Sequence, residues 1–130
     1  MEMLIDFPGG ARVDAHFGSH IVKTDQPPVS SAPMPFEVFL ASIGTCAGIY
    51  VLGFCQQRGL STEGIRIMQR VHSNPMNGMV EKIDLEIQVP PSFPTKYYDA
   101  LVKSAELCKV KKHLEHPPVF DVTTKQVEVE

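Results

Sequence analysis

Cysteine is scarce in this chain: three residues in 130, and an odd number. So few cannot form a disulfide-stapled scaffold. Positive charge is short as well. Twelve Lys and Arg against fifteen Asp and Glu leave a formal net charge of −3, which argues against a basic surface for nucleic acid. The opening residues, Met1-Glu2-Met3-Leu4-Ile5-Asp6, lack the basic start and apolar stretch of a signal peptide. The expectation is a cytoplasmic protein with reduced thiols. Internal repeats, a Gly-rich phosphate loop, His-Glu-x-x-His and Gly-x-Ser-x-Gly are missing too. His113-x-x-His116 has no matching cysteine pair, so neither a metal nor another cofactor is expected.

What is present is an ordinary globular composition, 43% hydrophobic and 21% charged, sized for one domain over residues 1–130. Eleven prolines punctuate it, falling between the periodic segments. Met3, Ile5 and Phe7 alternate with other residues, as do Val13, Ala15 and Phe17. Gly18-Ser19 then turns the chain into His20-Ile21-Val22-Lys23. A Pro-rich loop spans Asp25 to Pro35. From Phe36 to about Arg58 the pattern is helical, and Val38 to Cys55 carries no charge. That length touches the membrane-spanning range. Three glycines and several small polar residues dilute it, however, and the segment reads as a central buried helix rather than a membrane span. Gly44 and Gly48 share one face and permit a close neighbour. Gly59 ends the helix.

Ile65 to Val71 reads as a strand, Asn74 to Gly78 as a turn, and Ile83-Asp84-Leu85-Glu86-Ile87-Gln88-Val89 as a half-buried strand. A second helix is expected from about Thr95 to Cys108, and a short turn or helix over Lys109 to Leu114. Phe120 and Val122 begin a last strand, whose apolar parity flips at Val127 and Val129, suggesting a bulge or break. The order β-β-(β)-α-β-β-α-β predicts an α+β fold with antiparallel sheets and central helices.

Cys46 lies mid-helix and Cys108 ends the second helix. Free cysteines are commonly small buried hydrophobes, and Cys55, beside Phe54, fits that description best. Glu37 sits at the helix start, where a carboxylate contributes about 0.3–1 kcal/mol.

The stretch Pro35-Phe36-Glu37-Val38-Phe39-Leu40-Ala41-Ser42-Ile43-Gly44-Thr45-Cys46 resembles the first cysteine motif of the OsmC/Ohr family, with its cysteine nine positions after the glutamate. Ala105-Glu106-Leu107-Cys108-Lys109-Val110, followed by Leu114, resembles the second motif, with Lys109 where that motif usually carries proline. The resemblance implies an OsmC-like fold in an intertwined homodimer with sites at the interface. It implies a thiol peroxidase reducing organic hydroperoxides, and in some members hydrogen peroxide. Cys46 would attack the peroxide and Cys108 would resolve the sulfenic acid as a disulfide, which an external thiol reduces. The family activates its cysteine with an arginine held by the motif glutamate. Glu37 takes the glutamate's place, and Arg12 is the positional candidate for the arginine. Nine helical residues span about 13.5 Å and roughly 900°. Glu37 and Cys46 therefore cannot share one face of a straight helix: either the chain bends before the helix, or Glu37 serves a partner's cysteine. Two further readings stay open: a small-ligand-binding protein on the same fold, and a redox sensor.

Overall fold

The computed structural model describes residues 1–128; Val129, part of the expected last strand, lies outside them. Three strands come first: β1 (Leu4–Gly9), β2 (Arg12–Phe17) and β3 (His20–Thr24). They form an antiparallel meander in the order β1-β2-β3. Phe17 pairs with His20 across the Gly18-Ser19 turn, and Gly18 takes the positive φ of 54° that this tight connection needs. The sheet makes only marginal contact with the rest of the chain. Its apolar residues are accordingly uncovered, with Leu4 65%, Ile5 51% and Phe7 80% exposed.

The buried member of β2 is Asp14 rather than an apolar residue. Arg12 donates to both its carboxylate oxygens, at 2.9 and 2.7 Å, and so compensates the buried charge. The Pro-rich loop is pinned by a second buried carboxylate. Asp25 accepts the backbone N–H of Gln26 and of Ser31, each at 2.8 Å, together with the Ser31 hydroxyl.

Helix α1 (Pro35–Gln57) follows. Proline occupies its first position, where a missing N–H costs nothing. Its buried residues, Ile43, Ala47, Val51, Phe54 and Cys55, recur at helical spacing and form one stripe. By length and composition α1 could cross a membrane, but here it packs against α2 (Tyr98–Glu106), α3 (Lys109–Glu115) and β4 (Arg66–Ser73). Phe36, Phe39, Ile49 and Leu52 lie off that stripe and remain exposed.

Strands β4 and β5 (Val80–Gln88) form an antiparallel hairpin, with Ile67 opposite Ile87 and Gln69 opposite Leu85. The expected turn closes it: Gly78 N–H donates to the Asn74 carbonyl at 2.8 Å. Val51, Phe54, Cys55, Phe93 and Leu101 make the core, with Ile67, Ile87 and Tyr97 packed around them.

The structure departs from the sequence reading at two places. The second helix starts as a 3-10 turn over Thr95–Tyr97, and its α-helical part, α2, ends at Glu106, short of Cys108, which caps the short helix expected after it, α3. The last strand does not form among residues 117–128, and Val119, Phe120 and Val122 are almost fully exposed. Among the described residues no strand pairs with that segment, and its exposed backbone groups are left to water. The Gly44/Gly48 face meets β4, the close neighbour that its glycines permit. A Cβ on Gly44 would collide with Gln69 Oε1, and one on Gly48 would touch Ile67 at 3.9 Å. Gln69 Nε2 donates to the Leu40 carbonyl at 2.9 Å, laying its amide across the helix there.

Candidate active site

The break between α2 and α3 builds the site. Glu106 ends α2, Leu107 caps it, and Cys108 takes an extended backbone, φ −48° and ψ 126°, before α3 starts at Lys109. This turn points the first N–H groups of α3 away from their own helix, where they have no carbonyl to reach. Cys46 of α1, the helix that α3 packs against, lies near this end of α3.

Cys46 is half-buried and Cys108 is 2% exposed. Burial alone would push the Cys46 thiol up from its ordinary 9.0. The Cys108 thiol, the N–H groups of Val110 and Lys109, and the Lys109 ammonium outweigh it, so the net shift is downward. Cys108 moves the opposite way. Burial pushes it up first, and donating to Cys46 holds its proton in place. The pair is thus biased in opposite directions, Cys46 toward the thiolate and Cys108 toward the thiol. That bias is what attack followed by disulfide formation requires, since the thiolate is the nucleophile. Cys55 is fully buried, and burial raises its thiol despite Arg58 nearby. It is core material.

A cavity of about 500 Å³ adjoins the pair, with Cys108 in its wall. Ile43 and Ala47 of α1, Ile83, Leu85 and Ile87 of β5, and Val102 of α2 make it largely apolar. The alternating face of β5 therefore borders open space, which is why its isoleucines are only half-buried.

The four expected site residues divide into a pair and two singles. Cys46 and Cys108 come together. Glu37 folds back on its own helix start, its Oε1 accepting the Met34 N–H at 2.9 Å. Arg12 is bound to Asp14 on the N-terminal sheet. Neither acts on Cys46 within the chain. Asp6, Asp14 and His16 on that sheet hold ligand atoms within 4.8 Å of one another. Arg12 already occupies Asp14, and His16 Nε2 lies 3.0 Å from Asp6 Oδ1. The sequence reading missed the N–H donors of Lys109 and Val110. A lysine directly after a helix-ending cysteine was the available signal.

The sequence profile of the OsmC-like proteins matches residues 28–123. No curated protein matches the chain in sequence. Among solved structures, it is similar to a Psychrobacter arcticus protein assigned to osmotic stress induction and the detoxification response, at TM-score 0.70 and 18% identity over 85% of each chain. It is similar to an OsmC-like protein of Mycoplasma pneumoniae, at TM-score 0.70 and 12% identity, covering 89% of this chain and 87% of that one. It is also similar to the organic hydroperoxide resistance protein OhrB of Bacillus subtilis, at TM-score 0.51 and 16% identity, covering 87% of this chain and 90% of that one. At these identities the structures report a common fold, and the profile match over most of the length places the chain in the OsmC-like protein family.

Proposed function

We propose that this protein is a cytoplasmic, homodimeric thiol peroxidase that reduces organic hydroperoxides without a metal or other cofactor. The observation that carries the reading is the contact between a Cys46 held toward the thiolate and a Cys108 held as the thiol. Membership of the OsmC-like family and the name of the Bacillus subtilis relative agree with it.

The Cys46 thiolate attacks the distal peroxide oxygen. The O–O bond breaks, Cys46 becomes a sulfenic acid, and the leaving alkoxide takes a proton to give the alcohol. Cys108 sulfur then attacks Cys46 sulfur. The S–S bond forms, and the sulfenic oxygen leaves as water with the thiol's proton. An external dithiol exchanges with this disulfide, restoring both thiols and becoming oxidised itself. The apolar cavity beside Cys108 suits the organic portion of the hydroperoxide. In a dimer, the exposed residues of the N-terminal sheet and of α1 become the interface, and Arg12 and Glu37 are the residues available to reach across it.

Consumption of cumene hydroperoxide with dithiothreitol as reductant tests the proposal. Wild-type protein turns over, and Cys46→Ser falls to the uncatalysed rate. Normal turnover in Cys46→Ser refutes it. The cavity also favours a second reading, a small-ligand-binding protein with structural cysteines. Inertness of Cys46 to alkylation at neutral pH in the folded protein would select that reading.

A further inference from the structure

We propose that Asn77 is a site of spontaneous deamidation, in which the Gly78 nitrogen closes a succinimide and the turn that holds this nitrogen sets the rate. The inference stands apart from the peroxidase reading.

The sequence narrows the choice. The chain has two asparagines, Asn74 and Asn77, both between β4 and β5. Succinimide closure needs the backbone nitrogen of the next residue to attack the side-chain amide carbon. Pro75 follows Asn74, and a proline nitrogen has no proton to lose. Gly78 follows Asn77, and without a Cβ its nitrogen is open to close approach.

The turn separates the two asparagines again. Asn74 is its clamp. The Asn74 N–H donates to the Met79 carbonyl, and the Asn74 carbonyl accepts the Gly78 N–H, each at 2.8 Å. The Asn74 side chain accepts the Met76 N–H at 2.8 Å and donates to Glu81 Oε1 at 2.7 Å. Asn77 sits at the exposed tip, open to water. Its Oδ1 accepts the Met79 N–H at 2.9 Å. That donor stands where negative charge develops as the amide carbon is attacked, and so favours attack. The bond from Gly78 N–H to Asn74 works the other way. The nitrogen must leave it and lose its proton before it can attack.

The reaction needs only water. The Gly78 nitrogen bonds to Asn77 Cγ, the Cγ–Nδ2 bond breaks, and the amide nitrogen leaves as ammonia with the proton from Gly78. Water then opens the ring at either carbonyl. One opening gives aspartate. The other gives isoaspartate, in which the main chain runs through the side-chain carbon and gains a methylene. Either product adds one negative charge to the formal −3. Val80, Glu81 and Lys82 follow the turn and line the cavity beside Cys108. Isoaspartate therefore lengthens the backbone at one end of the cavity wall.

The test incubates the full chain in neutral and mildly alkaline buffer, folded and in guanidinium chloride. Peptides covering residues 74–82 are resolved by chromatography and mass spectrometry against aspartate and isoaspartate standards. We expect both products at Asn77, a rate that rises with pH, and intact Asn74. We expect the folded chain to react about two- to tenfold more slowly than the unfolded one, the factor set by one backbone hydrogen bond. Asn77→Gln, whose closure needs a six-membered ring, should stay unmodified under the same conditions. An intact Asn77 in the folded chain overturns the assignment, as does conversion of Asn74 at a similar rate. Aspartate without isoaspartate overturns the succinimide route. Equal rates in the folded and unfolded chain overturn control by the turn.

Discussion

Gly44 decides what lies against the central helix two residues before Cys46. In the fold described above, the neighbour is the tip of Gln69, whose amide crosses the helix to the Leu40 carbonyl at 2.9 Å. Gly44→Ala places a methyl group where Gln69 Oε1 sits. A helical Gly→Ala change gains about 0.8–1.0 kcal/mol in propensity. Here it must also displace Gln69, losing a bond worth about 0.5–1.5 kcal/mol. Leu40 keeps its helical partner and Gln69 is only half-buried, so neither is stranded without water. The substitution should therefore leave stability within about 1 kcal/mol of wild type. In a Gln69→Ala background the obstruction is gone, and the same substitution should stabilise by about 0.8–1.0 kcal/mol. The difference between backgrounds, about 0.5–1.5 kcal/mol, measures the contact. Urea denaturation supplies it, read as a change in midpoint at constant slope. Equal gains in both backgrounds would refute the contact. A loss of more than about 2 kcal/mol in the Gln69→Ala background would mean that backbone, not a side-chain tip, faces Gly44, because overpacking costs about 1–3 kcal/mol.

Two further outcomes follow from buried groups. Asp25 is held below its ordinary 3.8 by the Ser31 hydroxyl first, then by the Ser31 and Gln26 N–H groups. A depressed carboxylate adds stability that is complete above its unfolded value and is lost as pH falls through the folded one. Asp25→Asn should be less stable than wild type at pH 7, and thermal melts should show the gap closing below about pH 4. A gap independent of pH would refute this. Cys55 should resist iodoacetamide in the folded protein and react only in urea, and Cys55→Ala should cost about 1 kcal/mol while leaving Cys46 alkylation unchanged. Native-state labelling of Cys55 would contradict its place in the core.

The long elements were legible because their signals are periodic and local. The end of α1 follows from Gly59, whose φ of +64° suits the residue after a helix, and β5 from strict alternation between Ile83 and Ile87. The pairing of Cys46 with Cys108 came from motif resemblance, since no local pattern links residues on different helices. The break after Glu106 was half legible, in the cysteine expected to end one helix and the short segment expected after it. What the break does, bringing the start of α3 and Cys108 beside the Cys46 helix, depends on tertiary packing. The burial of Asp14 was not legible either. Val13, Ala15 and Phe17 carry the apolar parity of β2, yet the one buried residue of the strand is Asp14, whose charge Arg12 compensates.

The uncovered surfaces give the dimer proposed above its physical rationale. A sheet of three short strands with few contacts to the other elements is marginal by itself. Leu4, Ile5, Phe7 and Ile21 are each more than half exposed on it, while α1 exposes Phe36 and Ile49. Full burial of one such side chain yields about 1.5–3 kcal/mol, so covering even four of them outweighs much of the cost of association, about 4–15 kcal/mol. The same arrangement explains a division of labour within the chain. The helical half completes its cysteine pair and the donors to Cys46 from its own residues. The N-terminal half carries a part-buried Arg12–Asp14 pair on a sheet with few contacts to the other elements. A second copy would supply a packing partner. Thiolate formation at Cys46 would then belong to each protomer, while closure of the site around the substrate would belong to the pair.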